Sequence, residues 1–251
     1  MISRLRQRIA SADFGVVGLE FFLLIAGILI AFQIDRWAEE RQYREQEYQY
    51  LIRLKDDLES EIDLMVRGIE FAAEQIENVR MLEIVGSNPE LARSQPKDFV
   101  MAIELVTWTS FPQVSGNVFT ELKTTGNLSL LQSAELRQAL ADHYSIFRHF
   151  SIIAQDHEIQ NLFTQLTAGL LGTDELLVIQ QNKADRENLV VTPERAYEVA
   201  LEFSDRKQAI ALLPSIAQFH GYIQTYVGLS LDDARRLVAT LDGLIRDSNR
   251  G

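Results

Sequence analysis

The chain has 251 residues, 47% of them apolar, a formal net charge of −12 and no cysteine. That length and composition suffice for one large or two small domains with a buried core. The lack of cysteine excludes disulfides, thiolate nucleophiles and zinc–sulfur sites, and the excess of acids argues against nucleic-acid binding, which requires clustered Lys and Arg.

A long apolar stretch near the N-terminus predicts a membrane anchor. Within Phe14–Ile34 the only charged residue is Glu20. Twenty-one helical residues extend about 31 Å, which matches the hydrocarbon core of a bilayer. The middle of this stretch is apolar on every face, so it lacks the polar face that a soluble surface helix presents to water. We predict a transmembrane anchor over residues 14–37, with Trp37 at the membrane interface.

The orientation of this anchor depends on the residues around it. Residues 1–13 form a short tail with three arginines, which we interpret as cytoplasmic. Basic residues are equally numerous on the two sides of the span. The positive-inside rule therefore gives little preference for either orientation. A cleaved signal peptide is the competing interpretation, but no A-x-A site follows the apolar run. Residues 38–251 are then a soluble domain on the periplasmic side of a bacterial inner membrane.

Three residues of the anchor have two interpretations each. Glu20 is either a proton or partner site within an oligomer, or an interfacial residue of a span that is shifted towards Trp37. Gly27 and Ala31 have the small-xxx-small spacing that allows two spans to pack closely, although such pairs are common by chance.

The helix is predicted to continue from the anchor into water without a break. Neither Gly nor Pro occurs between Ile28 and Gly68, and Gly86–Pro89 provides the stop signal. Apolar residues recur on two lines seven residues apart, which predicts a coiled coil or the first helix of an antiparallel bundle. The first heptad line is Leu51, Leu58, Met65, Ala72 and Val79, and the predicted second line is Ile62, Ile69 and Ile76.

The opposite face of the same helix is acidic. We interpret this row as a solvated face rather than a cation site. The row consists of Asp56, Asp57, Glu59, Glu61, Asp63, Glu70, Glu74 and Glu77.

Further helices are predicted along the rest of the chain, over 96–109, 117–125, 133–171, 193–203 and 205–247. Ser133 and Thr192 have the composition of N-caps, Pro112–Gly116 is a break, and Gly126 is expected to adopt positive φ at a helix end. Because few segments alternate with period two, we predict an all-α fold in which the N-terminal transmembrane helix is continuous with a bundle of long helices.

Two segments are less regular. Residues 172–192 are predicted to be a polar loop with a strand-like patch at 176–179. Pro214 is expected to kink the last helix, and Gly228 leaves open whether that helix is one or two.

No motif for catalysis or metal binding is present. The sequence lacks G-x-S-x-G, P-loop, dinucleotide-binding, H-E-x-x-H and Glu-x-x-His patterns. His143 and His157 share an apolar stripe, but 14 helical residues separate them by about 21 Å. We interpret each as a buried or boundary histidine with its hydrogen bonds satisfied, and we regard His149 and His220 as isolated. We therefore predict no catalytic residue, no cofactor and no metal, and a non-enzymatic protein.

One stretch, VFTELKTTGNLSLL at 118–131, concentrates polar residues around a sharp turn between apolar arms. It is either a helix–turn–helix corner packed into the core or a corner beside a recognition or ligand pocket. The candidate interaction or ligand residues are Trp108, Phe111, Thr120, Lys123, Gly126 and Asn127.

Two parts of the chain contain distinctive motifs, at Gly27–Gln33, Trp37, Glu39–Arg41, Tyr50, Leu51, Glu121–Lys123, Gly126–Leu128, Glu135–Arg137, Leu140 and Tyr144. Together these motifs resemble a family of uncharacterised single-span bacterial membrane proteins. The resemblance covers about residues 18–60 and 118–147, and the family places a Glu near the start of its span, as Glu20 is here. His143 departs from the family pattern, which has an aromatic residue there. The resemblance implies the architecture and brings no activity.

These observations predict a scaffold, accessory subunit or interaction module that is anchored in the lipid bilayer and has a protein partner or forms a homo-oligomer. The alternative is a small-molecule-binding sensory module with a pocket near Trp108 and the Thr120–Asn127 corner.

Overall fold

The computed structural model describes residues 14–154, 157–182 and 190–248, and these contain eight α-helices and no β-strand. The predicted all-α class is confirmed, while the predicted tail 1–13 lies outside the described residues. The helices are α1 (Phe14–Ser87), α2 (Pro96–Leu105), α3 (Asn117–Thr124), α4 (Ala134–Ile153), α5 (Glu158–Thr167), α6 (Thr173–Asn182), α7 (Pro193–Asp205) and α8 (Lys207–Ser248). Short 3-10 helices span Pro89–Arg93 and Asn127–Leu130.

Helix α1 joins the apolar segment to the bundle, as the sequence predicts. It has 74 residues, which corresponds to a length of about 110 Å. An 18-residue window near its N-terminus has a mean hydropathy of 1.9, and none of that window is buried. By length and composition this is a helix that can cross a membrane. Between residues 18 and 46 nearly every side chain is exposed, and Leu51 is the first fully buried one.

Helix α8 runs antiparallel to α1 and covers its first heptad line. Near one end Lys55 Nζ lies 2.7 Å from Asp242 Oδ1. Near the other end a Cβ on Gly86 would lie 3.0 Å from Ile210 Cδ1. Residues of the first heptad line are at most 1% exposed. Of the two alternatives for this helix, the structure therefore contains the antiparallel bundle.

The buried residues form two clusters along the α1–α8 pair. The first surrounds residues 79–85 of α1 and includes Phe99, Phe163 and Phe203. The second surrounds residues 51–72 and includes residues of α3, α4 and the C-terminal half of α8. The corner at 118–131 belongs to this second cluster.

The predicted helix 133–171 is wrong, because α4 ends at Ile153 and α5 starts at Glu158. The break places Phe147 of α4 in the second cluster and Phe163 of α5 in the first. In α5 Phe163 faces the core, and its neighbour Leu162 is 45% exposed.

The predicted loop and its strand-like patch are wrong over Thr173–Asn182, which is helical. Residues 183–189 of the predicted loop lie outside the described residues, and residues 190–192 are not helical. The start of α6 is stabilised by Glu175, which accepts a hydrogen bond from the Gly172 amide at 2.7 Å and a bidentate pair from Arg195 at 2.8 and 2.9 Å. A short apolar run does not distinguish a strand from a helix by periodicity.

Helix α8 continues through Pro214 and Gly228, so this segment is one helix rather than two.

Burial in the second cluster predicts a large difference between two leucines of α1. Leu54 is fully buried, whereas Leu64 is 36% exposed. We expect Leu54→Ala to lower the free energy of unfolding by about 2–5 kcal/mol and Leu64→Ala to lower it by less than about 1 kcal/mol. Denaturant unfolding of the full chain in mild detergent, followed by helical circular dichroism, measures both. Equal losses of stability in the two variants would contradict the different burial of Leu54 and Leu64.

Candidate functional site

The corner between α3 and α4 has the local structure that its sequence predicts. Gly126 adopts φ +75°, the left-handed conformation that favours glycine. The Ser133 side chain accepts a hydrogen bond from the Leu136 amide at 3.0 Å and so caps α4. These two features fix the direction in which α4 leaves the corner.

Polar side chains along one edge of α1 hold the corner in place. Tyr50 Oη donates to Glu121 Oε1 at 3.0 Å, and the Arg53 guanidinium binds both carboxylate oxygens of Glu121 at 3.1 and 2.5 Å. One turn nearer the anchor, Glu47 accepts from the Gln132 amide at 2.6 Å. The hydrogen bonds from Arg53 and then Tyr50 lower the pKa of Glu121. Thus the two parts of the chain that carry the family resemblance contact each other.

Two carboxylates of α1 cap the N-terminus of α3. The Gly116 amide donates to Glu61 Oε1 at 2.9 Å, and the Val118 amide donates to Asp57 Oδ2 at 3.1 Å. Gly116 has no side chain to satisfy these amides itself, and carboxylates are favourable at a helix N-terminus. Tyr144 Oη of α4 donates to the other oxygen of Glu61 at 3.2 Å. Glu61 therefore connects three helices.

Burial changes the acidity of Glu61. Its side chain is 4% exposed, and desolvation raises its pKa to about 7 although the bonds from Gly116 and Tyr144 act in the other direction. The interpretation of the acidic row as a solvated face is wrong for Glu61 and for half-buried Asp57. Glu61 lies three residues after Leu58 and four before Met65, on the buried side of the helix.

A cavity of about 410 Å³ lies beside this network. It opens between α3, α4 and the loop that precedes α3. Its lining consists of Pro112, Gln113, Val114, Ser115, Phe119, Thr120, Lys123, Thr124, Tyr144, Phe147, Arg148 and Ser151. Tyr144 is shared between the cavity wall and the Glu61 network.

The structure brings together only some of the six candidate corner residues. Thr120 and Lys123 line the cavity, and Phe111 packs behind Phe147 with ring centroids 5.1 Å apart. Trp108 packs against the other cluster, while Gly126 and Asn127 are outside the lining. Sequence reasoning missed Tyr144, Phe147 and Arg148 as site residues, although their spacing along one helix face indicates a shared wall.

The anchor residues that the sequence singled out are exposed on α1. Glu20, Gly27, Ala31 and Trp37 all face outwards, and a Cβ on Gly27 would contact nothing within 4 Å. The two interpretations of Glu20, the packing of two spans at Gly27 and Ala31, and the interfacial position of Trp37 remain predictions.

The buried histidines differ from their predicted roles. His143 is 2% exposed and neither ring nitrogen has a hydrogen-bond partner, so its predicted satisfaction is wrong. His157 is half-buried and its Nδ1 also has no partner. His220 is fully buried, and its Nε2 lies 3.4 Å from the Val106 carbonyl. Burial lowers the pKa of His143, and lowers that of His220 to about 4. The predicted 21 Å separation of His143 and His157 assumed one unbroken helix and no longer applies.

Within the part of the chain that the structure describes, no group of three or more His, Asp or Glu residues is placed to hold a metal ion. The chain matches no family model, and no curated protein and no solved structure is significantly similar to it. The family resemblance therefore stays a prediction. The arrangement offers hydrogen bonding, cationic groups and an aromatic surface, which are means of binding.

Substitutions at Gly116 and Gly126 allow the cost of backbone strain to be measured separately from the cost of a steric clash. Gly116 has φ +55° and a Cβ there would lie 2.6 Å from the Tyr144 ring, whereas Gly126 has φ +75° with open space around it. We expect Gly126→Ala to cost about 1 kcal/mol of stability and Gly116→Ala to cost about 1–3 kcal/mol more. Thermal or denaturant unfolding of both variants tests this, and similar losses would contradict the packing of Tyr144 on Gly116.

Glu61 predicts a specific pH dependence. Its pKa is higher in the folded protein, about 7, than the usual 4.5, so its contribution to stability is present below about pH 4.5 and is lost as the pH rises through 7. Glu61→Gln mimics the protonated form and should gain on the order of 2 kcal/mol relative to the unchanged protein between pH 5 and pH 8. Glu70→Gln, at an exposed position of α1, is the control. Parallel stability curves for Glu61→Gln and the unchanged protein would refute the assignment.

Proposed function

We propose that this chain is a membrane-anchored, non-enzymatic helical module that acts as a scaffold or accessory subunit at the bacterial inner membrane. The observation that carries the proposal is the continuity of α1, which runs from an exposed apolar segment into the buried core of the bundle. A helix shared by anchor and bundle transmits the position of one to the other without a flexible linker.

The segment between the anchor and the bundle supports this role. Side chains from residue 35 to residue 46 are exposed on all sides, which corresponds to about 18 Å of helix outside the bundle. Such a stalk raises the bundle above the lipid headgroups. In the proposed topology the N-terminus is cytoplasmic, the bundle is periplasmic, and a protein partner or a second copy of the chain docks on it.

Membrane anchoring is tested by replacing two exposed residues of the apolar segment with Arg. Leu24 and Ile28 are 61% and 49% exposed. We expect the unchanged protein to resist alkaline carbonate extraction and the Leu24→Arg/Ile28→Arg variant to be extracted, because a charge at the centre of a span costs several kcal/mol. The same change at Tyr43 and Gln46 of the stalk should leave the protein in the membrane. A reporter fused at the C-terminus tests the orientation, and cytoplasmic reporter activity would contradict it.

The accessory role is tested by purifying the detergent-extracted full chain from its native membrane. A single stoichiometric partner, or a defined homo-oligomer, is the expected result. A monomer without any partner would refute the scaffold proposal while leaving the anchor intact.

The cavity favours a second function, the binding of a small molecule by a sensory module. Its volume of about 410 Å³ is within the range of ligand sites, and polar groups from α3 and α4 converge on it. A thermal-shift panel of anionic, neutral and cationic compounds tests for binding. Thr120→Trp fills the cavity and should abolish any shift, whereas Thr125→Trp, outside the lining, should retain it.

A further inference from the structure

We propose that the cavity between α3 and α4 binds a small organic anion with a flat apolar body, taken from the aqueous phase. The inference rests on the second proposed function and names the chemical class of its ligand. It is carried by the charge, the aromatic surface and the position of the cavity.

The charge of the cavity is opposite to that of the chain. Lys123 of α3 and Arg148 of α4 line it, and no Asp or Glu does, although the chain has 36 acids and a net charge of −12. Neither cation forms an ion pair with any described residue. Two cations that have no ion-pair partner among the described residues and reach one cavity from different helices are suited to a carboxylate or phosphate. Arg can bind either group with two parallel hydrogen bonds.

The cavity also has a fixed apolar surface. The rings of Phe119 and Tyr144 are stacked with centroids 5.2 Å apart and an interplanar angle of 20°. Phe147 is 3% exposed and is held from behind by Phe111. Because these rings are already immobilised in the core, a flat ligand that packs on their exposed edges does not have to order them.

Hydroxyl groups complete the set of hydrogen-bond donors. Ser115 and Thr120 make no side-chain hydrogen bond to a described residue and are free to donate to an anion. The hydroxyls of Thr124 and Ser151 already donate to the carbonyls of Thr120 and Arg148, each at 2.8 Å. The side-chain donors available to a ligand therefore include the two cations and these two hydroxyls.

The position of the cavity identifies the source of the ligand. Glu121 is bound by Tyr50 and Arg53, and Gly116 by Glu61, so the cavity lies beside residues 50–61 of α1. Tyr50 is about 24 Å along the helix from Ile34, whereas the headgroup region of one leaflet is about 6 Å thick. Lipid headgroups of the membrane that anchors the chain do not reach this distance, so the anion comes from water.

The experiment uses the full chain in nanodiscs of zwitterionic lipid, with empty nanodiscs as the blank. Ligand-observed NMR titrations compare 3-phenylpropionate and phenyl phosphate with neutral 3-phenylpropanamide and with acetate. We expect a Kd of about 1 mM for the better of the two aromatic anions, because small ligands bind weakly, and binding at least about tenfold weaker for the amide and for acetate. The tighter of the two aromatic anions identifies carboxylate or phosphate as the preferred group.

Charge-neutralising variants locate the binding. Lys123→Gln and Arg148→Gln should each weaken the better anion about tenfold, the loss expected for one charge-assisted hydrogen bond. Lys207→Gln and Arg246→Gln remove exposed cations outside the lining and should leave the Kd unchanged. Helical circular dichroism of all four variants verifies that each remains folded.

The possible failures are distinguishable. If the amide binds as tightly as the anions, or if the cavity variants change the Kd no more than the controls, the anion inference is overturned while a small-molecule site can stand. If no probe binds and the thermal-shift panel gives no shift that Thr120→Trp abolishes, the inference and the second proposed function both fail. Membrane extraction and partner purification are unaffected by either result.

Discussion

Antiparallel contact between α1 and α8 is the interaction on which the rest of the protein depends. Leu51, Leu58 and Met65 of α1 are fully buried, and α2, α3, α4, α5 and α7 pack on this pair of helices, while α6 packs on α2. Burying a side chain of this size stabilises the fold by about 1.5–3 kcal/mol, so the summed burial dominates the free energy of folding. Because α1 also contains the apolar segment that is long enough to cross a membrane, this contact fixes the bundle at one end of a single continuous helix.

The second heptad line of α1 decides where the remaining elements attach. The buried line consists of Leu54, Glu61, Gly68, Gln75 and Leu82, with polar or small residues in its middle. At Gly68 a Cβ would lie 2.6 Å from Pro112, so glycine makes room for the loop that precedes α3. Glu61 then accepts the hydrogen bond from the Gly116 amide and so caps the N-terminus of α3. These non-apolar positions place the loop and α3, and with them the cavity.

Buried titratable groups give the bundle two opposing dependences on pH. The raised pKa of Glu61 makes deprotonation destabilising as the pH rises towards and above 7. The lowered pKa values of His143 and His220 act in the other direction, since the unfolded chain takes up these protons at about pH 6.5 and the folded protein does not. Tyr144 donates a hydrogen bond to Glu61 and also lines the cavity. A change in the protonation state of Glu61 therefore acts on a residue that would contact the proposed ligand.

The sequence by itself determined the all-α class, the continuity of the apolar segment with the first helix of the bundle, the first heptad line and the local caps at Gly126, Ser133 and Thr192. Helical periodicity and capping depend on near neighbours in the chain. Only the tertiary structure decided the second heptad line. Ile62, Ile69 and Ile76 are more apolar than the residues beside them but are half-buried, because the loop before α3 and the helices α3 and α4 contact α1 at Glu61 and Gly68 instead. The break between α4 and α5, the helix α6 and the cavity were likewise decided by packing. Whether a side chain such as Phe147 or Phe163 packs in the first or the second cluster depends on contacts with residues that are distant in the sequence. The local sequence pattern does not contain that information.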